Sequence, residues 1–176
     1  MIALAYYRNA VTLVLTLLLI ACEPQANKKT AMQAIDLMQW KKLTSENHDQ
    51  VMLVDIWASW CISCIERFPA MVELSHRYRD VVRFVSLNVD HTEDARALRW
   101  ANEFLHKQQA YFEHYHLTNP MMQSFDALQL IGIPAVLLID TNGQEYARLT
   151  GDNPNQQFTD ADIEEQIQQL LKQGIK

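Results

Sequence analysis

The apolar and polar positions of the chain fall into short blocks whose period changes along its length. Val51-Met52-Leu53-Val54-Asp55-Ile56-Trp57 is almost continuously apolar, the pattern of a strand buried on both faces, and Val82 to Val89 (VRFVSLNV) predicts a second strand. Between them, residues 61 to 79 carry helical spacing with Pro69 inside the run. Pro69 has no N–H to reach back to residue 65, which predicts a kink and not an end. Strand, helix and strand in this order predict a right-handed crossover between parallel strands. Upstream, Ala34, Ile35, Met38 and Leu43 predict a helix within residues 31 to 45, broken by Ser45, Asn47 and Asp49. Downstream, Ala95, Leu98, Ala101 and Leu105 predict a helix to Gln108, with Thr92 as its cap. Residues 110 to 117 (AYFEHYHL) read as a short aromatic strand, and Pro120 opens a short helix reaching Leu128. Ala135 to Asp140 is a buried strand, Asn142-Gly143 signals a two-residue hairpin turn, and Gln144 to Leu149 is the antiparallel partner. A last helix spans Thr159 to Lys172, with Asp160, Asp162, Glu164 and Glu165 near its positive end.

The first stretch of the chain follows a different rule. Arg8 precedes an uninterrupted apolar or small run from Ala10 to Ala21. That run is shorter than the ~20 residues of a membrane span and matches the apolar core of a signal peptide. Its end, Leu19-Ile20-Ala21-Cys22, resembles the bacterial lipobox, which implies removal of residues 1–21 as a lipoprotein signal peptide and lipid attachment at Cys22. An uncleaved anchor, or an ordinary signal sequence with Cys22 incidental, is the alternative. Residues 22–30, polar and aperiodic, read as a lipid-anchored flexible tether, and residues 31–176 as one domain without repeats. The expected location is extracytoplasmic, at a membrane. By resemblance to bacterial sorting rules, Glu23 leans towards the outer membrane over the inner one.

Composition narrows the chemistry. A chain of 176 residues with 49% hydrophobic content and 20% charge builds an ordinary buried core. Three cysteines are too few for a disulfide-stapled scaffold, and a net charge of −6 with dispersed Lys and Arg provides no nucleic-acid-binding stripe. Two of the cysteines lie in WASWCISC, residues 57 to 64. Cys61 falls where the buried strand ends and a helix begins, and helix starts depress a cysteine pKa from ~8.5 to between about 3.5 and 7.5. It is the candidate nucleophile. Cys64, one turn deeper, is the candidate resolving thiol. Asp55, ionisable in an apolar strand, is expected beneath the pair with its pKa raised by desolvation, suited to take a proton from Cys64. A structural Asp bonded to a backbone amide is the alternative reading. A zinc site needs two further ligands, and there is no second CxxC. His114 and His116 share one face of a strand, which invites a metal, but no third ligand lies at a telling spacing. Trp40, Trp57, Trp100 and Met121-Met122 read as packing.

The stretch VDIWASWCISC, Pro69, and Gly132-Ile133-Pro134-Ala135-Val136 before a strand together resemble the thioredoxin superfamily. The lipobox, the WASWCxxC context, the extra segment from about Ala95 to Leu117 and LIGIPAVLLIDTNG are most similar to TlpA/ResA-type membrane-tethered thiol-disulfide oxidoreductases. The resemblance implies an α/β thioredoxin-like fold, a central mixed sheet flanked by helices with an extra helix-strand segment in mid-domain. It implies a redox-active Cys61/Cys64 disulfide, Asp55 as the buried acid, and Trp60, Ile133 and a cis-Pro134 in supporting, substrate-facing roles. No cofactor and no metal are expected. Protein thiols and disulfides, cytochrome c precursors or misoxidised proteins among them, are the expected substrates, with a membrane thiol-reducing system as electron donor. Reduction is the expected direction; oxidase or isomerase activity, or a copper-binding module without catalysis, are the alternatives. Two departures stand out: Ile62-Ser63 lacks the proline frequent between the cysteines, and Arg67 stands where many relatives carry an acidic residue.

Overall fold

The computed structural model describes residues 31–151 and 157–173; the expected signal peptide, Cys22 and the tether lie outside them. Six strands form one sheet in the order β1-β4-β3-β2-β5-β6. They are β1 (Gln33–Ile35), β2 (Val51–Trp57), β3 (Val82–Asn88), β4 (Glu113–Leu117), β5 (Ala135–Ile139) and β6 (Glu145–Thr150). Strands β1 to β4 are parallel to one another, whereas β5 pairs antiparallel with both β2 and β6. The mixed sheet, flanked on both faces by helices, is the thioredoxin-like fold. Every residue of β2 is buried, as its unbroken apolar run requires of a central strand.

Alternation along β2 sorts the core into two layers. Met52, Val54 and Ile56 point to one face, where they pack with Trp40 of α1 (Leu37–Ser45) and Phe125 of α4 (Met121–Ala127). Val51 and Leu53 point to the other, against Met71 and Leu74 of α2 (Ile62–Arg77) and Ile163, Ile167 and Leu170 of α5 (Asp160–Lys172). Trp57, at the end of β2 on that second face, joins Phe68 of α2 and Phe104 of α3 (Ala95–Lys107), with ring centroids 5.1 to 5.6 Å apart. This aromatic cluster lies directly beside the cysteines.

Several local expectations change. Ala34 and Ile35 belong to the edge strand β1, not to a helix, because Asp36 caps α1: its carboxylate accepts from the Gln39 amide at 2.7 Å, and the Gln39 side chain accepts from the Asp36 amide at 2.9 Å. Helix α3 is capped by Asp94, which accepts from the amides of Arg96 and Ala97, whereas Thr92 donates to the Thr118 carbonyl. The β5–β6 connection is longer than a two-residue turn, since Asp140 Oδ1 accepts from the amides of both Asn142 and Gln144. Gly143 there has φ 75°, and a Cβ on it would stand 2.6 Å from the Ser45 backbone, so the turn abuts the end of α1. Helix α2 continues through Pro69.

Candidate active site

The stretch that joins β2 to α2 is held by its own backbone and by a neighbouring loop. Cys61 is the N-cap of α2: its amide donates to the Ala58 carbonyl at 3.1 Å, and its carbonyl accepts from Ile65 at 3.1 Å. Cys61 and Cys64 are joined as a disulfide with Cα atoms 5.2 Å apart. The Cys64 amide points at Cys61 Sγ, 3.3 Å away, so a free N–H of the first helical turn faces the outer sulfur. The two sulfurs differ in access: Cys61 retains 6% exposure, Cys64 none. Trp60, 52% exposed, and Ile62, 74% exposed, rise on either side of Cys61.

Asp90 anchors this loop from below, a residue the sequence reading passed over. Its carboxylate accepts from the Ser59 hydroxyl at 2.8 Å, from the Ser59 amide at 3.1 Å and from Asn88 Nδ2 at 2.8 Å. His116 Nε2 donates to the Asp90 carbonyl at 3.0 Å. The available signal was an Asp two residues beyond the β3 strand end; its pairing with Ser59, 31 residues earlier, leaves no local pattern.

Asp55 sits in β2 facing α2, almost wholly buried. Its Oδ1 accepts a hydrogen bond from Arg67 Nη2, while Oδ2 has no partner among the described residues. Arg67 follows Cys64 by three residues on α2, so the ion pair lies one helical turn below the inner sulfur. Burial pushes the Asp55 carboxyl above the usual carboxylate range; Arg67 pulls it back down and Asp160 adds to the rise. In register with Asp55 across the sheet stand Ser86 on β3 and then His114 on β4. His114 Nε2 donates to the Ala110 carbonyl at 2.8 Å, so its Nδ1 accepts from the Ser86 hydroxyl at 2.7 Å. Burial lowers the His114 pKa to about 4. Both ring nitrogens are thereby engaged with protein groups, and among the described residues no cluster of three or more His, Cys, Asp or Glu is placed to hold a metal.

The loop before β5 closes the site from the side. The Ile133–Pro134 peptide is cis, and Ile133 packs against the cluster that contains Cys61 and Cys64. Pro134 is buried, and its carbonyl accepts from the Gly151 amide at 2.8 Å. The fold thus brings Cys61, Cys64 and Ile133 into one packed unit, with Trp60 at its rim and the Asp55–Arg67 pair beneath.

The model of the thioredoxin-like domain matches residues 38–161. The chain belongs to the thioredoxin-like family. Among curated members, the thioredoxin-like protein HCF164 of Oryza sativa is 29% identical over 108 residues, which is 61% of this chain and 31% of that protein. A thiol:disulfide interchange protein, the TxlA homolog of Synechocystis, is 26% identical over 111 residues, 63% of this chain and 47% of that one. The chain spans less than half the length of these two relatives. The solution structure of a thioredoxin-like protein from Porphyromonas gingivalis shares the fold, with TM-score 0.59 and 21% identity over 73% of this chain and 80% of that one. Within the thioredoxin-like family frame, the disulfide occupies the strand-to-helix junction, and Ile133, the residue before the cis proline, packs against the cluster that holds it. Among the described residues no helix is long and apolar enough to cross a membrane.

Proposed function

We propose that this chain is an extracytoplasmic thiol-disulfide oxidoreductase, tethered by lipid at Cys22, that reduces disulfides in other proteins. The observation that carries the reading is the asymmetry of the pair: Cys61, which keeps a small exposure and receives a helix-start amide, and Cys64, which has none. In the reduced form, the Cys61 thiolate attacks one sulfur of a substrate disulfide, forming a mixed disulfide and expelling the other sulfur as a thiolate. Cys64 then gives its proton to Asp55 Oδ2, which is unpartnered among the described residues, and attacks Cys61 Sγ, releasing the second substrate thiol and closing the Cys61–Cys64 disulfide. Two electrons pass from the dithiol to the substrate, and a membrane thiol-reducing system restores them. Trp60 and Ile133 flank the outer sulfur and provide apolar contact for an extended substrate segment. The relative named as a thiol:disulfide interchange protein supports the same class of chemistry.

The test is a Cys64→Ser variant incubated with an oxidised protein. It accumulates a mixed disulfide through Cys61, seen as a mass adduct that dithiothreitol removes, while Cys61→Ser forms none. An absence of adducts, together with tight copper binding and no disulfide reduction by the wild type, overturns the enzyme reading in favour of metal delivery. Mass spectrometry of the membrane-extracted protein checks the tether: Cys22 is diacylated and N-terminal, and an unmodified Cys22 contradicts it.

A further inference from the structure

Arg67 is an unexpected partner for a buried acid that has to move a proton. Its side chain is only 9% exposed, yet among the described residues Nε and Nη1 find no acceptor, and its hydrogen bond goes to Asp55 Oδ1. The guanidinium carbon lies 4.7 Å from the centroid of the Phe158 ring, which covers it from the α5 side. A buried guanidinium with two idle donors is costly, and its ion pair with Asp55 is what offsets that cost. We infer that Arg67 is a positioning residue for the Asp55 carboxylate: it fixes Oδ1, leaves Oδ2 unpaired among the described residues on the sheet face that α2 covers, and supplies the counter-charge that lets the acid ionise where water does not reach. This deepens the proposed reductase reading, since it assigns Asp55 its orientation as proton acceptor.

The charges that face Asp55 can be named element by element. Helix α2 contributes Arg67 and α5 contributes Asp160, opposite in effect. Its strand neighbours are the neutral Ser86 and Val136, and His114, next along the row, is held uncharged by burial. Arg67 is therefore the single cation in this set, and its loss leaves desolvation and Asp160 unopposed.

The experiment is an NMR titration of the Asp55 side-chain carboxyl in the oxidised protein, where neither cysteine titrates. Arg67→Gln moves the midpoint up by about one pH unit or more, and Arg67→Lys, which keeps the charge, returns most of that shift. Coincident wild-type and Arg67→Gln midpoints overturn the inference. Should Arg67→Gln not fold, the wild type alone decides: the Arg67 guanidinium resonances shift with the same midpoint as the Asp55 carboxyl, and resonances that ignore that transition overturn the inference. Neither measurement involves turnover, so the inference fails or stands separately from disulfide reduction, which the Cys64→Ser trap tests.

Discussion

At the scale of single residues, the site depends on side chains that hold other groups in place as much as on the sulfurs. Asp90 accepts three hydrogen bonds from Ser59 and Asn88 while buried, and these fix the approach to Cys61. Removing such a charged acceptor leaves buried donors unpaired, which costs about 2 kcal/mol. Asp90→Ala should lose about that much stability in urea unfolding and should raise hydrogen exchange at Ser59 and Trp60; unchanged exchange at those amides would contradict the clamp. The placement of the cysteines and of a buried Asp55 was legible in the sequence because an ionisable group in an apolar strand and a CxxC at a strand-to-helix junction each carry a local signal. Arg67 was noticed only as a departure. Its bond to Asp55 joins residues twelve apart on different elements, and helical or strand periodicity does not encode such a contact.

At the scale of elements, the strands and long helices follow from patterning, and the errors lie at their ends. Ala34 and Ile35 satisfy helical spacing, yet pairing of Gln33–Ile35 with Tyr115–Leu117 draws them into the sheet, a long-range bond invisible in the local pattern. Asp36 and Thr92 show the same lesson from the side of capping: an Asp with Gln three residues on is a strong start, whereas Thr92 is taken up by the Thr118 carbonyl. Asp36→Ala should therefore destabilise the fold by about 1 kcal/mol without altering disulfide reduction. Thermal unfolding beside an insulin-reduction assay separates the two effects, and a loss of activity at full stability would contradict a purely structural cap. The turn around Gly143 differs from the two-residue expectation because Asp140 organises it with its own carboxylate and because α1 presses against it.

At the scale of the whole molecule, two buried groups set opposite slopes in the dependence of stability on pH. His114 has its pKa lowered from 6.5 to about 4, so between those values the unfolded chain binds more protons. The stability it contributes is full above the unfolded value and is lost as pH falls towards the folded one. The shift corresponds to roughly 3 kcal/mol. Asp55 behaves in the opposite sense: its raised pKa means the folded state holds the proton longer, so its contribution is full at low pH and lost as pH rises from the usual carboxylate range through the raised value. Urea unfolding of the oxidised protein across pH should show His114→Phe flattening the acid-side loss, and Asp55→Asn removing the opposing fall that begins in the usual carboxylate range. Curves that superpose on the wild type would contradict these assignments. All of this serves one pair of sulfurs, and their reduction potential tests the account most directly. Equilibration with defined thiol-disulfide buffers, followed by counting free thiols at Cys61 and Cys64, should give one two-electron transition near the thioredoxin value of about −270 mV. A value near the strongly oxidising ~−120 mV, or thiols that never interconvert with the disulfide, would contradict a reductase.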